Sequence, residues 1–461
     1  MEIEQIYTSC LAQGAYYIQS ENEAAIIDPL REINPYIQKA EKNGAKIKYV
    51  FETHFHADFV SGHIDLSKKT GAPIVFGPTA QPGFDAIIAK DGQEFKIGKI
   101  IIKVLHTPGH TMESCVYLLK DETGKDHAIF SGDTLFLGDV GRPDLAQKAS
   151  HMTQEELAGL LYDSLMNKIM PLAADVIVYP AHGAGSACGK SMMKETVDTL
   201  GHQKQMNYAL LQPNKHAFIK AVTDGLSLPP AYFPMNVDMN KNGYQNIDDV
   251  FNNGKKALSV QEFEAIVNSN SVLVLDTRPA AVFCIGFIPK SINIGLDGQF
   301  APWVGALIAD VKQKIVLVTE IGKEEEAVMR LARVGFDTIL GHLKGGFETW
   351  KNSGKHFDTI NRISATQFAT EFNTNKNLVI DVRKENEYNT LHVINASLKP
   401  LDFINEWTSS IDTHKPFYLH CAGGYRSMIA ASILKARGID NFKEIEGGFN
   451  AIAKTDVAQV K

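Results

Sequence analysis

Short apolar runs alternate with amphipathic stretches along most of the chain, and this pattern predicts strands interleaved with helices. Within residues 1–235 the helical pattern is clearest at 153–167 and 190–209. The strand-like apolar runs of this part are 16–18, 24–27, 47–51, 74–76, 100–105, 115–119, 128–130 and 176–179. Many strands with interspersed helices are typical of a layered α/β sandwich, which is the fold class that we expect here.

The second half of the chain contains an internal repeat. An apolar run that ends in Asp276-Thr-Arg278 reappears about 100 residues later as a run that ends in Asp381-Val-Arg383. A Gly-Gly-Phe sequence at 345–347 likewise reappears at 447–449. A period of about 100 residues is far longer than the repeats of solenoid proteins, so it predicts two tandem domains. Apolar runs that alternate with helical patterns predict a parallel sheet flanked by helices in each copy.

These patterns divide the chain into four parts. A polar stretch rich in Asn and Gly separates the first part from the repeats and has the composition of a linker. The predicted parts are a first domain at 1–235, a linker at 236–255, a first repeat at 256–358 and a second repeat at 359–461.

Composition and charge exclude several classes of protein. The 461 residues include 46 Lys and Arg against 53 Asp and Glu, and this acidic balance argues against nucleic-acid and membrane-surface binding. No window approaches the roughly 20 apolar residues of a membrane span, and the first residues lack a secretory signal. Five scattered cysteines do not make a disulfide framework. We therefore expect a cytoplasmic protein that has no nucleic-acid or membrane partner, and we expect it to form a homo-oligomer.

The most informative pattern is the position of His and Asp residues. Each of four apolar runs is followed at once by such residues, in the sequences THFHAD, HTPGHT, SGDT and PAHG. The residues concerned are His54, His56, Asp58, His110, Asp133 and His182. Loops after neighbouring strands converge at one edge of a sheet, and neutral imidazole with carboxylate suits Zn or Fe. The sequence therefore predicts a metal site at such an edge.

The run THFHAD…HTPGHT…SGDTLF…YPAHG resembles the metallo-β-lactamase fold over residues 1–235. The resemblance implies an αββα sandwich. The family motif is HxHxDH, and in this chain Phe59 replaces its last histidine. In the dinuclear zinc hydrolases of the superfamily, ligands of the second metal fall at the positions of Asp58, Phe59 and His182. Because phenylalanine cannot ligate a metal, we expect a mononuclear site.

The resemblance narrows to the persulfide dioxygenase branch of this superfamily. It implies that His54, His110 and Asp133 hold one Fe(II) per chain as a facial triad of two histidines and one carboxylate, with open positions for substrate. The residues that it places around these ligands are His56, Asp58, His182, Arg142 and Asp144. Arg142 and Asp144 fit a structural ion pair equally well.

A second pattern centres on Cys421. The sequence HCAGGYRS follows the apolar run 417–419 and opens a helical stretch. Its glycines allow backbone N–H groups to point inward, and the helix start favours a thiolate. The Cys-x4-Arg spacing from Cys421 to Arg426 resembles rhodanese sulfurtransferases, whereas a loop one residue longer would resemble tyrosine phosphatases. We therefore expect Cys421 to be a sulfur nucleophile and Arg426 to act with it.

The first repeat has no cysteine in the corresponding loop. Its sequence is VTEIGK at 318–323, and acidic residues there would repel a persulfide anion. We expect this repeat to be a catalytically inactive rhodanese that serves as a spacer or docking module. In the first domain, Cys188 follows His182 by six residues. It is either a carrier of sulfane sulfur near the metal or a small residue that fills a turn.

The resemblance implies a persulfide dioxygenase fused to a rhodanese. Such a protein would oxidise a low-molecular-weight persulfide with O₂ to sulfite, and the Cys421 persulfide could convert sulfite to thiosulfate. This activity would serve sulfide detoxification. One alternative is a dinuclear-zinc thioester hydrolase of the glyoxalase II type joined to a sulfurtransferase. Another is a sulfur-carrier or docking scaffold.

Overall fold

The computed structural model describes residues 1–226, 228–269, 271–375, 377–412 and 414–461. Two compact units make up the chain: Met1–Ile247 with Ala332–Gly335, and Asp248–Leu331 with Phe336–Lys461. None of the helices in this described part has the length and apolar character needed to cross a bilayer.

The first unit contains two six-stranded sheets within the described ranges. The strands of the first sheet, in spatial order, are β1 (Glu2–Thr8), β2 (Gln13–Ser20), β3 (Glu23–Ile27), β4 (Lys46–Phe51), β5 (Ile74–Phe76) and β6 (Ile87–Ile88). Those of the second sheet are β7 (Glu94–Ile97), β8 (Ile100–His106), β9 (Cys115–Lys120), β10 (Asp126–Gly132), β11 (Ile177–Pro180) and β12 (Asp198–Thr199). Every apolar run predicted as a strand in this part lies within or overlaps one of these strands.

Apolar side chains on the inner faces of the two sheets form one core. Phe51 of the first sheet and Tyr117 and Phe130 of the second are fully buried there. The outer faces are covered by helices, with Tyr36 on the first sheet and Leu161 on the second. These helices are α1 (Asn34–Lys42), α2 (His63–Thr70), α3 (Gln147–Ser150), α4 (Gln154–Ser164), α5 (Leu200–Met206), α6 (Lys215–Thr223) and α7 (Phe233–Asn242). The predicted αββα sandwich is confirmed.

The two predicted helices of this unit have different outcomes. The pattern at 153–167 forms α4, which Thr153 and Glu156 start with a reciprocal capping box, and then a π-helical turn at Leu165–Ile169. The pattern at 190–209 is helical only in α5, so its prediction was wrong over the first ten residues. The N–H groups of Lys190 and Ser191 donate instead to Oδ2 of Asp139, at 2.6 Å each, which holds this segment in an irregular path.

The stretch predicted as a linker at 236–255 is also structured. It contains most of α7 and all of α8 (Ile247–Gly254), and the division between the two units falls inside it, after Ile247. Asn240 explains why α7 is ordered. Its side-chain amide donates to the carbonyl oxygens of His56 and Phe59, at 2.8 Å each, and accepts the N–H of Ser61 at 2.9 Å. Asn240 therefore binds the loop that contains His56, Phe59 and Ser61.

The second unit contains both repeats, and each forms a parallel sheet with the same strand order. The first sheet is ordered β13 (Ala257–Leu258), β17 (Ile339–Leu343), β16 (Lys314–Val318), β14 (Val272–Asp276), β15 (Ile292–Asn293). The second is ordered β18 (Arg362–Ile363), β23 (Phe442–Ile445), β22 (Phe417–His420), β19 (Leu378–Asp381), β21 (Ser397–Leu398). A short antiparallel ribbon joins β20 (His392–Val393) to β24 (Gln459–Val460).

Helices flank both sheets, as predicted. Those of the first repeat are α9 (Val260–Val267), α10 (Ala280–Phe283), α11 (Phe300–Leu307), α12 (Glu324–Ala332) and α13 (Gly346–Asn352). Those of the second are α14 (Ala365–Asn375), α15 (Glu385–Thr390), α16 (Ile404–Trp407), α17 (Tyr425–Ala436) and α18 (Gly448–Ile452), with 3₁₀ turns at Leu401–Phe403 and Thr408–Ser410.

The repeated Asp-x-Arg sequence has the same structural role in both copies. Arg278 pairs with Asp276 at 2.6 Å and also donates to the carbonyl oxygen of Gly286. Arg383 pairs with Asp381 at the same distance and donates to the carbonyl oxygen of Leu391. Both pairs are buried, so each charge is compensated where the strand ends.

Asn240 provides a test of how α7 supports the loop that contains His56 and Phe59. We expect Asn240→Ala to lower the free energy of unfolding by about 1–3 kcal/mol, because buried backbone groups of the loop would lose their partner. Denaturant unfolding measures this change. Asn242→Ala is the matched control, because Asn242 is exposed at the end of the same helix and should change stability by less than about 0.5 kcal/mol. Equal effects of the two variants would contradict this role of Asn240.

Candidate metal centre and cysteine site

Loops from both sheets of the first unit bring the predicted metal ligands together. His54 follows β4 of the first sheet, whereas His110 and Asp133 follow β8 and β10 of the second. The Nε2 atom of His110 lies 3.4 Å from Oδ2 of Asp133, and Nε2 of His54 lies 3.8 Å from the same oxygen. All three side chains are buried. Their donor atoms therefore converge, as the ligands of a single cation do.

Hydrogen bonds behind the two histidines fix the orientation of their rings. Nδ1 of His110 donates to the carbonyl oxygen of Arg142 at 2.9 Å. Nδ1 of His54 lies 3.0 Å from the hydroxyl of Thr53, which itself donates to Asp28 at 2.9 Å. Burial and the neighbouring imidazoles hold the pKa of His54 well below its ordinary value. The ring is therefore neutral, and its Nε2 lone pair faces the centre, which is the form that binds metal.

His56 lies on the other side of this loop, beside two carboxylates. Its Nε2 atom is 3.1 Å from Asp28 and 3.4 Å from Glu52. Although burial opposes a charge on the ring, these two carboxylates raise the pKa of His56 well above its ordinary value. The two carboxylates therefore favour the protonated form of the His56 ring.

Asp58, His182 and Cys188 line the second side of the centre. Nε2 of His182 lies 3.5 Å from Oδ1 of Asp58 and 3.5 Å from Oδ1 of Asp133. The ligand atoms of Asp133, His182 and Cys188 all lie within 4.8 Å of one another. Burial raises the pKa of the Cys188 thiol well above its ordinary value, and the two nearby carboxylates raise it further. Cys188 thus lies at the centre itself and does not merely fill a remote turn.

The donor atoms of this region fit a bound metal cation. Among the described residues, the buried atoms here with no hydrogen-bond partner include both oxygens of Asp133, Oδ1 of Asp58 and both ring nitrogens of His182. A buried carboxylate without donors is costly unless a cation compensates its charge. Mixed imidazole and carboxylate donors suit zinc or iron.

Arg142 ties the loops of the centre to each other. Its guanidinium pairs with both oxygens of Asp144, at 2.7 Å each, and donates to the carbonyl oxygen of Ala187. Its backbone N–H donates to the carbonyl oxygen of Cys188, while its own carbonyl accepts from His110. The neighbouring Gly141 leaves no room for a side chain, since a Cβ there would lie 2.0 Å from the carbonyl oxygen of Asp133.

Cys421 begins the loop between β22 and α17 in the second unit. Gly424, at a φ of +104°, directs its N–H to the Cys421 sulfur at 3.1 Å, and the Ser427 hydroxyl lies 3.5 Å from the same atom. Ser427 also donates to the buried carboxylate of Glu444 at 2.6 Å. The Gly424 N–H would stabilise a thiolate or a persulfide anion on Cys421, whereas the single hydroxyl proton of Ser427 goes to Glu444.

A cavity of about 390 Å³ opens above Cys421. Arg426 lies on its wall and pairs with both oxygens of Glu387, at 2.6 and 2.7 Å. Trp303 of α11 and Gln299, which directly precedes this helix, also line the cavity, although they belong to the first repeat. The hypothesis that this repeat serves only as a spacer or docking module is therefore incomplete, because it forms part of the wall.

The family comparisons agree with this architecture. The metallo-beta-lactamase superfamily model matches residues 10–182, and the rhodanese-like domain model matches 259–353 and 364–455. The chain carries a metallo-beta-lactamase domain followed by two rhodanese-like domains. Both are domain types of enzymes, and the His and Asp cluster makes the metallo-beta-lactamase domain a metal-binding one.

The chain is also similar to individual proteins. A crystal structure of a metallo-beta-lactamase from Staphylococcus aureus subsp. aureus COL is 31% identical, with a TM-score of 0.64, and the match covers 75% of this chain and 98% of that one. A probable hydroxyacylglutathione hydrolase of Schizosaccharomyces pombe and a hydroxyacylglutathione hydrolase of Brucella ovis are each 31% identical, over 36% and 40% of this chain. The chain spans 62% and 66% of the length of these two curated relatives.

The structure brings the predicted site residues of the metallo-beta-lactamase domain into one cluster, apart from Asp144, which contacts it through Arg142. Sequence reasoning missed Asn240, whose polar stretch resembled a linker, and Tyr232, whose hydroxyl donates to the carbonyl oxygen of Asp58 at 3.2 Å. It also missed Trp303, because no local motif of the first repeat marks a residue that lines the site of the second. Only the helical spacing of buried residues in these segments could have drawn attention to them.

Trp303 tests whether the first rhodanese-like domain shapes the Cys421 cavity. We expect Trp303→Ala to raise KM for the sulfur donor about tenfold, because loss of indole contact removes about 1.4 kcal/mol of binding, and to leave kcat nearly unchanged. Steady-state sulfur transfer to cyanide or sulfite measures both constants. Trp303→Phe should recover part of the loss. Unchanged KM in Trp303→Ala would show that this wall does not contact the donor.

Proposed function

We propose that the metallo-beta-lactamase domain is a non-haem Fe(II) persulfide dioxygenase and that the second rhodanese-like domain is a sulfurtransferase coupled to it. The dioxygenase would convert a low-molecular-weight persulfide, O₂ and water to the free thiol and sulfite. The sulfane sulfur is oxidised and O₂ is reduced in this step, so no other oxidant is needed. The physiological role would be the removal of sulfide-derived sulfur.

The observation that carries this proposal is the three-ligand set beside Phe59. His54, His110 and Asp133 have the composition of a facial triad, which leaves several coordination positions open. The ring of Phe59 is fully buried. Its centroid lies 4.4 Å from the ring centroid of His56 and 6.5 Å from that of His182. An aromatic ring thus stands where hydrolases of this superfamily use a metal-binding imidazole.

Each residue around the iron would have its own role in the dioxygenase reaction. His54, His110 and Asp133 would hold the iron, and the iron would supply the activation of the persulfide sulfur and of O₂. The bonds from Thr53 and Arg142 keep both imidazoles oriented, so little reorganisation is needed during turnover. Phe59 makes one wall apolar and excludes water there. His182 and Asp58 are placed to hold and pass the protons of the thiol and of water.

Cys421 would carry the sulfur that converts sulfite to a second product, thiosulfate. A persulfide on Cys421 can transfer its outer sulfur to sulfite, which gives thiosulfate and returns the Cys421 thiolate. In this exchange the S–S bond of the enzyme breaks and the S–S bond of thiosulfate forms. The Gly424 N–H would stabilise the sulfur anion before and after transfer. Arg426, held by Glu387, would attract the anionic acceptor.

A second candidate is a dinuclear-zinc thioester hydrolase fused to the same sulfurtransferase. The names of the hydroxyacylglutathione hydrolases that the chain resembles favour this activity. Phe59 argues against it, because the hydrolase pattern places a histidine at that position. A sulfur-carrier or docking scaffold is a third possibility, and the intact Cys421 loop argues against it.

Metal analysis tests the proposal directly. Protein purified without O₂ should contain one iron per chain and consume O₂ when given a glutathione or coenzyme A persulfide. Asp133→Ala should lose both the iron and O₂ uptake, because the triad loses its charged ligand. Asp126→Ala is the control, since this residue lies at the far end of the same strand and should change neither property. An active fraction that holds two zinc ions, no iron, and cleaves hydroxyacyl thioesters would establish the hydrolase instead.

A cysteine variant separates the two activities. Cys421→Ser should abolish sulfur transfer to sulfite and leave O₂ uptake with a small persulfide largely intact, because the metal site belongs to another domain. Cys284→Ser, which alters a buried thiol in the first repeat, should preserve both activities. If Cys421→Ser also stopped O₂ uptake, the Cys421 persulfide would be the obligatory substrate of the iron site.

A further inference from the structure

We propose that Cys188 completes a second metal site together with Asp58, Asp133 and His182, and that this site binds a thiophilic divalent cation such as Zn²⁺. The site would lie beside the predicted iron site and share Asp133 with it. Its sulfur ligand would take the place of the histidine that Phe59 replaces.

The carboxylate of Asp133 is placed to bridge two cations. Its Oδ2 atom faces His54 and His110, at 3.8 and 3.4 Å, whereas its Oδ1 atom faces His182 at 3.5 Å. Within the described chain, neither oxygen has a hydrogen-bond partner. A carboxylate that served one metal alone would leave its second oxygen buried without a donor or a cation, which is unfavourable.

The other side of this space holds more unsatisfied donor atoms. Nε2 of His182 lies 3.5 Å from Oδ1 of Asp58, and neither atom has a hydrogen-bond partner among the residues described. Both side chains are more than nine-tenths buried. The His182 nitrogen thus faces a carboxylate oxygen on each side, and with one further ligand these groups would make up the four donors of a tetrahedral zinc site.

Cys188 supplies the fourth ligand. Its sulfur lies within 4.8 Å of the ligand atoms of both Asp133 and His182, and the residue is 1% exposed. The backbone holds it there, because its N–H donates to the Ser186 hydroxyl at 3.1 Å and its carbonyl accepts the N–H of Arg142 at 3.0 Å. The thiol is therefore fixed beside Asp133 and His182, and His182 in turn faces Asp58.

The donor atoms also indicate which cation the site prefers. One sulfur, one nitrogen and carboxylate oxygens suit Zn²⁺, Co²⁺ and Cd²⁺, whereas Mg²⁺ and Ca²⁺ prefer oxygen alone. The predicted iron site has no sulfur ligand, so the two sites differ in chemistry. One iron per chain in the active protein is compatible with a second site that fills only when a thiophilic cation is present.

Cobalt is a direct probe, because a cobalt–thiolate bond gives a charge-transfer absorption that nitrogen and oxygen ligands do not give. Metal-free, full-length protein would be titrated with Co²⁺ in the absence of O₂, and bound metal measured by elemental analysis. We expect two cobalt ions per chain and a near-ultraviolet band that develops with one of the two equivalents. Cys188→Ser should lose the band and one equivalent.

Matched variants assign the band to Cys188. Cys115→Ser alters another fully buried thiol of the same domain and should keep both the band and the second cobalt, as should Cys421→Ser. Cys188→Asp should retain the second cobalt without the band, because a carboxylate can replace the thiolate as a ligand. This variant also shows that a loss seen in Cys188→Ser does not come from misfolding.

Two outcomes would overturn the proposal: wild-type protein that binds one cobalt ion with no thiolate band, or Cys188→Ser that keeps the band. Neither depends on catalysis. Failure of the proposed dioxygenase would appear separately, as absence of O₂ uptake by iron-loaded protein.

Discussion

The carboxylate of Asp133 is buried between histidines on both sides, and neither of its oxygens has a hydrogen-bond partner in the described chain. A buried carboxylate without hydrogen-bond donors is costly unless a cation compensates its charge. Folding of the metallo-beta-lactamase domain therefore creates a position of strong cation affinity before any ligand arrives. The loops around Asp133 hold this arrangement, and many of their backbone groups are hydrogen-bonded to side chains.

These hydrogen bonds come from segments that are distant in sequence. Arg142 binds the side chain of Asp144, the carbonyl oxygens of Ala187 and Cys188 and the ring Nδ1 of His110, so it links the loops after three strands. Asn240 does the same for the loop of His56 and Phe59. In the same loop, the ring of His56 lies 3.1 Å from the carboxylate of Asp28 and 3.4 Å from that of Glu52. The rigidity of the centre thus depends on polar contacts, whereas the sandwich around it depends on apolar packing.

The sequence predicts the sandwich and the two repeats well, because alternation of apolar residues directly reflects burial on the faces of a sheet. It also predicts which residues cluster at the candidate metal centre, since histidines and aspartates directly after strands have few structural reasons to occur together. It does not predict the irregular path after Lys190 or the order of α7. In both cases single side chains, Asp139 and Asn240, outweigh local helical or polar preference through tertiary hydrogen bonds. The sequence likewise does not predict that Trp303 lines the Cys421 cavity, because this depends on how the two repeats pack together.

The pairing of the two repeats also limits how the chain can be divided. Helix α17, which starts at the Cys421 loop, is buried along Ser427–Leu434, and the Ser432 hydroxyl accepts the backbone N–H of Asn293 in the first repeat at 2.9 Å. The hydroxyl of Tyr425 donates to the carbonyl oxygen of Gly295, and its ring lies so close to Gly298 that a Cβ there would approach it to 2.4 Å. A polypeptide made of the second repeat alone would turn this helix face toward water. The copy without a cysteine therefore belongs to the same compact unit as the Cys421 loop, and we expect the second repeat to be less stable when it is made alone.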